Sequence, residues 1–196
     1  MITKTASLLA SEFSGWIALI VRYWPDTPLG NRLRRSYWRR RLRVGESPDF
    51  HRGSICYTGA PLTLGARFAL GENSVIDPND GLGIFIGDDV AIARDVFVRG
   101  ANHRFDKLDV PIMQQGHRSS KIRHGDRDYS IVIEDGVLIS RGVVILSGSH
   151  IGRGCVIGAG AVISTAIPRF SVVKASPSQV VRSRLDVRGT PPPAEH

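Results

Sequence analysis

From Ile133 onward isoleucine returns every sixth residue, at 133, 139, 145, 151, 157 and 163. Isoleucine fills only 18 of the 196 positions, so an unbroken run at this spacing marks an internal repeat. Four residues after each isoleucine stands a small or β-branched residue: Val137, Val143, Ser149, Cys155, Ala161 and Ile167. A period of six returns every isoleucine to the same side of an extended strand, whereas an α-helix would scatter them around its circumference. Each unit therefore reads as a short strand and a turn. Burying every isoleucine in one interior requires successive units to turn in the same sense. The result is a three-sided prism of parallel strands, with roughly eighteen residues per coil. The same pattern opens two earlier coils, at Leu64 and at Ile86, and residues 46–63 read as an imperfect first coil. Pro78-Asn79-Asp80-Gly81 reads as a turn bulging between Ile76 and Ile86. Residues 104–130 carry no repeat and interrupt the prism just after His103, and a long aperiodic insertion in a compact domain points to function.

Upstream of the prism, residues 6–24 place Leu8, Leu9, Phe13, Trp16, Ile17 and Ile20 at helical spacing. Pro25 and Pro28 end that helix, and Gly30 precedes a second, short one containing RLRRSYWRRRLR. The chain divides into a basic helical segment over 1–45, a β domain over 46–168 with its insertion, and an extension over 169–196. The tail of that extension is expected to be disordered.

Charge changes this picture locally. The net charge is +8, and residues 22–43 hold eight arginines against the single Asp26, leaving the rest of the chain nearly neutral. Trp and Tyr beside clustered Arg suit an anionic membrane surface, engaged through residues 1–43, while the same helices could equally pack on the prism. Nucleic acid is not an expected partner, because no recognised binding motif accompanies the patch. No signal peptide or spanning stretch is evident, so a cytoplasmic protein is expected, with the inner membrane face as its docking place. Two cysteines, Cys56 and Cys155, cannot form a disulfide framework or a zinc finger and fit a reducing compartment.

The run IGRGCVIGAGAVI, the segment ANHRFDKLDVPIMQQG and the basic LRRSYWRRRLRVG resemble the hexapeptide-repeat acyltransferases, in particular their sugar and polysaccharide O-acetyltransferase branch. The resemblance covers about residues 28–185. It implies a left-handed parallel β-helix, a homotrimer with active sites between subunits, acetyl-CoA as co-substrate and a sugar or polysaccharide-precursor acceptor. It leaves two rivals: an N-acetyltransferase on an amino sugar or antibiotic, and a non-catalytic hexapeptide scaffold.

Acyl transfer to a hydroxyl needs a base, and His103 is the candidate because an imidazole titrates near working pH. Backbone N–H groups of a neighbouring turn are expected to hold the oxyanion. For the acceptor, the resemblance implies Asn73, with Asp80, Asn102 and the loop residue Arg104 as further candidates. Arg104, Asp106 and Gln115 could close over the sugar or serve a neighbouring subunit, and Asp106 could orient His103. For the cofactor it implies Arg141, Ala159, Ser164, Thr165 and Arg182, with Lys174 and Arg182 facing its phosphates. Three departures from the family pattern stand out: Leu138-Ile139-Ser140, Ser164-Thr165-Ala166 and Ala175-Ser176-Pro177-Ser178. No metal is expected, since a zinc site would need three histidines on adjacent coils and His117 and His124 lie in the insertion.

Overall fold

A computed structural model describes the backbone of residues 2–175 and 179–183 and the side chains of residues 12–175. Its body is a three-sided left-handed β-helix. The first face stacks the strands Arg43–Val44, Leu62–Leu64, Ile84–Ile86, Ile131–Ile133, His150–Ile151 and Ala166–Ile167. The second stacks Asp49–Phe50, Ala69–Leu70, Ala91–Ile92, Leu138–Ile139, Val156–Ile157 and Ser171–Lys174, and Gln179–Ser183 then folds back antiparallel. The third face holds Ile55–Cys56, Val75–Asp77, Phe97–Arg99, Val144–Leu146 and Val162–Ile163.

The register explains the period. Leu64, Ile86, Ile133 and Ile151 lie one above another on the first face, and all are at most 2% exposed. Ile139 and Ile157 on the second face and Ile145 and Ile163 on the third do the same. Between the faces, Val137, Val143, Ser149, Cys155 and Ala161 turn inward and are buried. The corners that leave the first and second faces each use one left-handed residue per coil. After the second face these are Gly53, Asn73, Asp95, Gly142 and Gly160, all at positive φ. Beside them, the backbone of adjacent coils comes very close. A Cβ on Gly71 would sit 2.4 Å from the Ala93 carbonyl carbon, so glycine is required there.

The first coil starts with Arg43–Val44, which pair with Thr63 and Leu64, slightly before the 46 read from the sequence. Helix α1 spans Ile2–Tyr23, and α2 spans Pro28–Arg39 rather than beginning after Gly30. Thr27 is the reason: its Oγ1 accepts the Gly30 N–H at 3.1 Å, and the fixed φ of Pro28 suits the first turn. Helix α2 closes the end of the prism through Gly30, Arg34 and Trp38. The Trp38 ring stacks toward Phe50, and Phe50 toward Phe68, each with centroids 6.0 Å apart. Arg34 is fully buried; it donates from Nε to the Phe50 carbonyl at 2.8 Å and also bonds Asp26 and Asn31. One of the eight clustered arginines is therefore a structural bolt and not part of a solvated face.

The insertion has structure of its own. Asn102–His103 pairs antiparallel with His117–Arg118, and Ile122–His124 pairs with Arg127–Tyr129. This second hairpin lies on the first face, where the His124 and Tyr129 rings meet Phe85 and Val132 is buried. Residues 176–178 and 184–196, the expected disordered tail among them, lie outside the described residues.

Candidate active site

His103 emerges where the third face ends and the insertion begins, at the corner leading back to the first face. The ladder places His117 directly opposite, with the two imidazole centroids 4.4 Å apart and the planes inclined by 40°. His117 Nδ1 lies 3.6 Å from Asp80 Oδ2. The same oxygen is 3.3 Å from Arg99 Nη2, and Arg99 also pairs with Asp77, its register neighbour one coil away. The base candidate thus sits at the end of a chain, Asp77–Arg99–Asp80–His117–His103, fixed to the prism at one end and exposed at the other. The insertion is pinned to the coils on both sides: Ser130 Oγ accepts the Leu82 N–H at 2.7 Å, and Ser147 Oγ accepts the Ser120 N–H at 2.8 Å.

His103, Asp80, Asn102 and Arg104 share this corner, and Ser164 and Thr165 stand exposed at the corresponding turn two coils further on. Asp80 serves as an ion-pair partner of Arg99 and His117. Arg104 and Asp106 hold each other through two hydrogen bonds of 3.1 and 2.9 Å, so Asp106 does not orient His103. That pairing holds the Asp106 carboxyl down at about 2. Gln115 braces the loop from within, bonding the backbone of Lys107 and Val110.

Asn73, Arg141 and Ala159 lie elsewhere, at the corner between the second and third faces, and Lys174 is beside them next to Gly158. Asn73 occupies a left-handed turn position (φ +57), a conformation asparagine tolerates better than most residues. Arg141 is paired with Asp95 at 2.9 Å. Backbone pairing puts Arg182 opposite Val172, while its side chain is outside the described residues. Within one chain, then, the two groups flank the two edges of the third face and do not meet.

Sequence reasoning passed over His117, Arg99 and Asp77 as site residues. The Asp77–Arg99 pair carried a signal, opposite charges at equivalent outward positions of successive coils. His117 carried none, because its partner is set by a ladder across an aperiodic loop. Among the described residues no group of three or more His, Cys, Asp or Glu is placed to hold a metal ion.

The family model of the bacterial transferase hexapeptide (six repeats) matches residues 130–165. A curated relative, "Probable acetyltransferase Rv3034c" of Mycobacterium tuberculosis, is 37% identical over 126 residues, which is 63% of this chain; the chain spans 37% of that relative's length. A hexapeptide-repeat acetyltransferase of Vibrio cholerae, solved with acetyl coenzyme A, superposes with a TM-score of 0.60 at 26% identity, covering 86% of this chain and 84% of that one. A maltose O-acetyltransferase of Clostridium difficile shares the fold with a TM-score of 0.65 at 21% identity, covering 88% and 84% of the two chains. Residues 130–165 are thus bacterial transferase hexapeptide repeats, and the chain carries the left-handed β-helix of the hexapeptide-repeat acetyltransferases.

Proposed function

We propose that the protein is an acetyl-CoA-dependent O-acetyltransferase acting on a sugar hydroxyl, in polysaccharide biosynthesis. The observation that carries this reading is His103, exposed at a rigid corner and backed by His117 and Asp80, on a fold whose Vibrio cholerae neighbour was solved with acetyl coenzyme A. A sugar hydroxyl is a weak nucleophile until a base takes its proton. His103 receives that proton as the oxygen attacks the thioester carbonyl. It returns the proton to the departing coenzyme A sulfur, so no acyl-enzyme is formed. Backbone N–H groups at the corner stabilise the oxyanion. Small exposed residues (Ala159, Ser164, Thr165) leave room for a pantetheine arm, and Arg141, Lys174 and Arg182 supply cations for the phosphates.

The two half-sites become one in a cyclic homotrimer. Ile55, Val75, Phe97, Val144 and Val162 form an outward apolar column up the third face, with Phe97 and Val162 40% and 51% exposed. A head-to-tail interface covering this face brings the Arg141 corner of one subunit towards the His103 corner of the next.

The helical segment extends the reading to a peripheral place on the cytoplasmic side of an anionic membrane. No helix among the described residues is long and apolar enough to cross a membrane. Helix α1 nevertheless leaves Phe13, Trp16, Ile20 and Tyr23 more than half exposed, and α2 turns Arg32, Arg35, Arg39 and Arg40 outward. Each such cation adds about 1 kcal/mol near an anionic surface. Sedimentation with phosphatidylserine vesicles should lose most binding in the variant Arg32→Gln/Arg35→Gln/Arg39→Gln/Arg40→Gln, which changes exposed side chains alone; binding indifferent to lipid charge contradicts this part. For the reaction itself, labelled acetyl-CoA offered to a panel of sugars and amino sugars should give alkali-labile O-acetyl esters. Label found solely in amides would move the protein to N-acetyl transfer, and no transfer together with no acetyl-CoA binding would leave a scaffold.

A further inference from the structure

Beside the His103 corner, on the first face, an open cavity of about 440 Å³ lies between the chain leaving α2, the first-coil corner and the second hairpin of the insertion. Arg41, Arg43 and Arg127 line it, with Thr58, Gly59 and Thr63 among its other walls and no carboxylate. Arg41 and Arg43 stand two apart where the chain leaves α2, and Arg127 is brought to them from the insertion more than eighty residues on, so its meeting with them is a product of the fold. Four outward arginines elsewhere on the prism have acidic partners: Arg52 with Glu72, Arg67 with Asp89, Arg99 with Asp77 and Arg141 with Asp95. Here the contacts are aromatic faces. Arg41 lies 3.8 Å above the Tyr37 ring and Arg127 5.7 Å from that of Tyr129, arrangements that leave N–H donors free to point into the cavity.

Converging guanidiniums without a counter-charge match the oxygens of a phosphate, which arginine grips in bidentate fashion. The wall of the cavity is continuous with the histidine corner. A Cβ on Gly59 would lie 2.2 Å from Asn79 Oδ1, and the next residue, Asp80, reaches His117. First-coil corner to third-coil corner is two inter-strand steps, about 10 Å along the prism axis. A group anchored by the arginines therefore leaves a neighbouring sugar ring within reach of His103.

We infer that this cavity binds the phosphate or diphosphate of the acceptor, so that the acceptor is a phosphorylated sugar and not a free one. The inference rests on the acetyltransferase reading above, and one set of titrations separates the two. Calorimetry on the full chain, with inorganic pyrophosphate and separately with acetyl-CoA, is repeated on the double variant Arg43→Gln/Arg127→Gln. The expected result is pyrophosphate binding that weakens by about tenfold or more in the variant, with acetyl-CoA affinity unchanged and no competition between the two. Absent pyrophosphate binding, or binding that the variant leaves intact, overturns the site. Competition with acetyl-CoA, together with weakened acetyl-CoA binding in the variant, overturns the acceptor assignment, because the arginines would then hold the coenzyme's own phosphates. Arginine-dependent pyrophosphate binding in a protein that takes no acetyl-CoA overturns the transferase reading and the acceptor assignment, and leaves an anion site.

Discussion

At the residue scale, the proposed mechanism gives His103 the contact with substrate and its neighbours the task of positioning it. His117 packs on the His103 ring and is itself steadied by Asp80, so its proposed part is to hold an orientation. Its contacts are partly exposed, which limits their strength to about 1 kcal/mol. His117→Ala is accordingly expected to lower kcat about fivefold with little change in the KM for acetyl-CoA, and Asp80→Asn to do the same less strongly. Steady-state kinetics distinguishes this from a structural defect, which would move both parameters. The loop pair gives a pH prediction. Its hydrogen bonds to Arg104 hold the Asp106 carboxyl at about 2, below the ordinary value of about 3.9. A depressed acid contributes its stabilisation above the ordinary value and loses it as pH falls through the depressed one. The Arg104–Asp106 clasp should thus be complete above about pH 4 and open towards pH 2. Carboxyl NMR should show Asp106 titrating near the lower figure and returning towards the ordinary one in Arg104→Ala.

At the element scale, the coils show what a sequence carries and what it does not. The interior column at 133, 139, 145, 151, 157 and 163 is legible because one residue type recurs at the spacing the strand and turn dictate. Cys155 is legible for the same reason: it fills an inward position and is fully buried, with its thiol against the Pro168 carbonyl at 3.0 Å. The insertion was legible only as an interruption. Its first ladder joins residues many positions apart, and nothing in a local pattern announces that His103 faces His117; the second ladder turns within His124–Arg127, and Arg104 takes Asp106 two residues on. The close stacking of coils makes a sharp test. Gly71→Ala places a Cβ 2.4 Å from the neighbouring backbone, and overpacking of this kind costs about 1–3 kcal/mol. Ile145→Ala empties a fully buried position at about 2–5 kcal/mol. Thermal denaturation should register both, and an unshifted Tm for Gly71→Ala would contradict the stacking described.

At the scale of the whole molecule, the candidate site residues of one chain fall in two groups on either edge of an apolar face, which the proposed trimer joins. Residues nominated together by resemblance, Asn73 and Arg141 on one side and His103 and Thr165 on the other, are separated because their corners differ. Sequence order does not reveal this until the coils are counted. The protein should therefore elute at three times the chain mass, and Phe97→Asp, which places a charge on the exposed third face, should yield monomers with transfer activity reduced at least tenfold. Light scattering coupled to chromatography reads the first, and the transfer assay the second. Monomers that retain full activity would show that a single corner suffices.

On this fold His103 is proposed to remove the acceptor's proton. The most direct test is transfer from labelled acetyl-CoA by His103→Ala, with acetyl-CoA binding measured on the same preparation. His103 is exposed and carries no part of the core, so the variant should fold and bind acetyl-CoA as the parent does. Transfer should fall about 10²- to 10⁴-fold with acetyl-CoA affinity unchanged. A variant that binds acetyl-CoA and transfers at the parent rate would contradict this role.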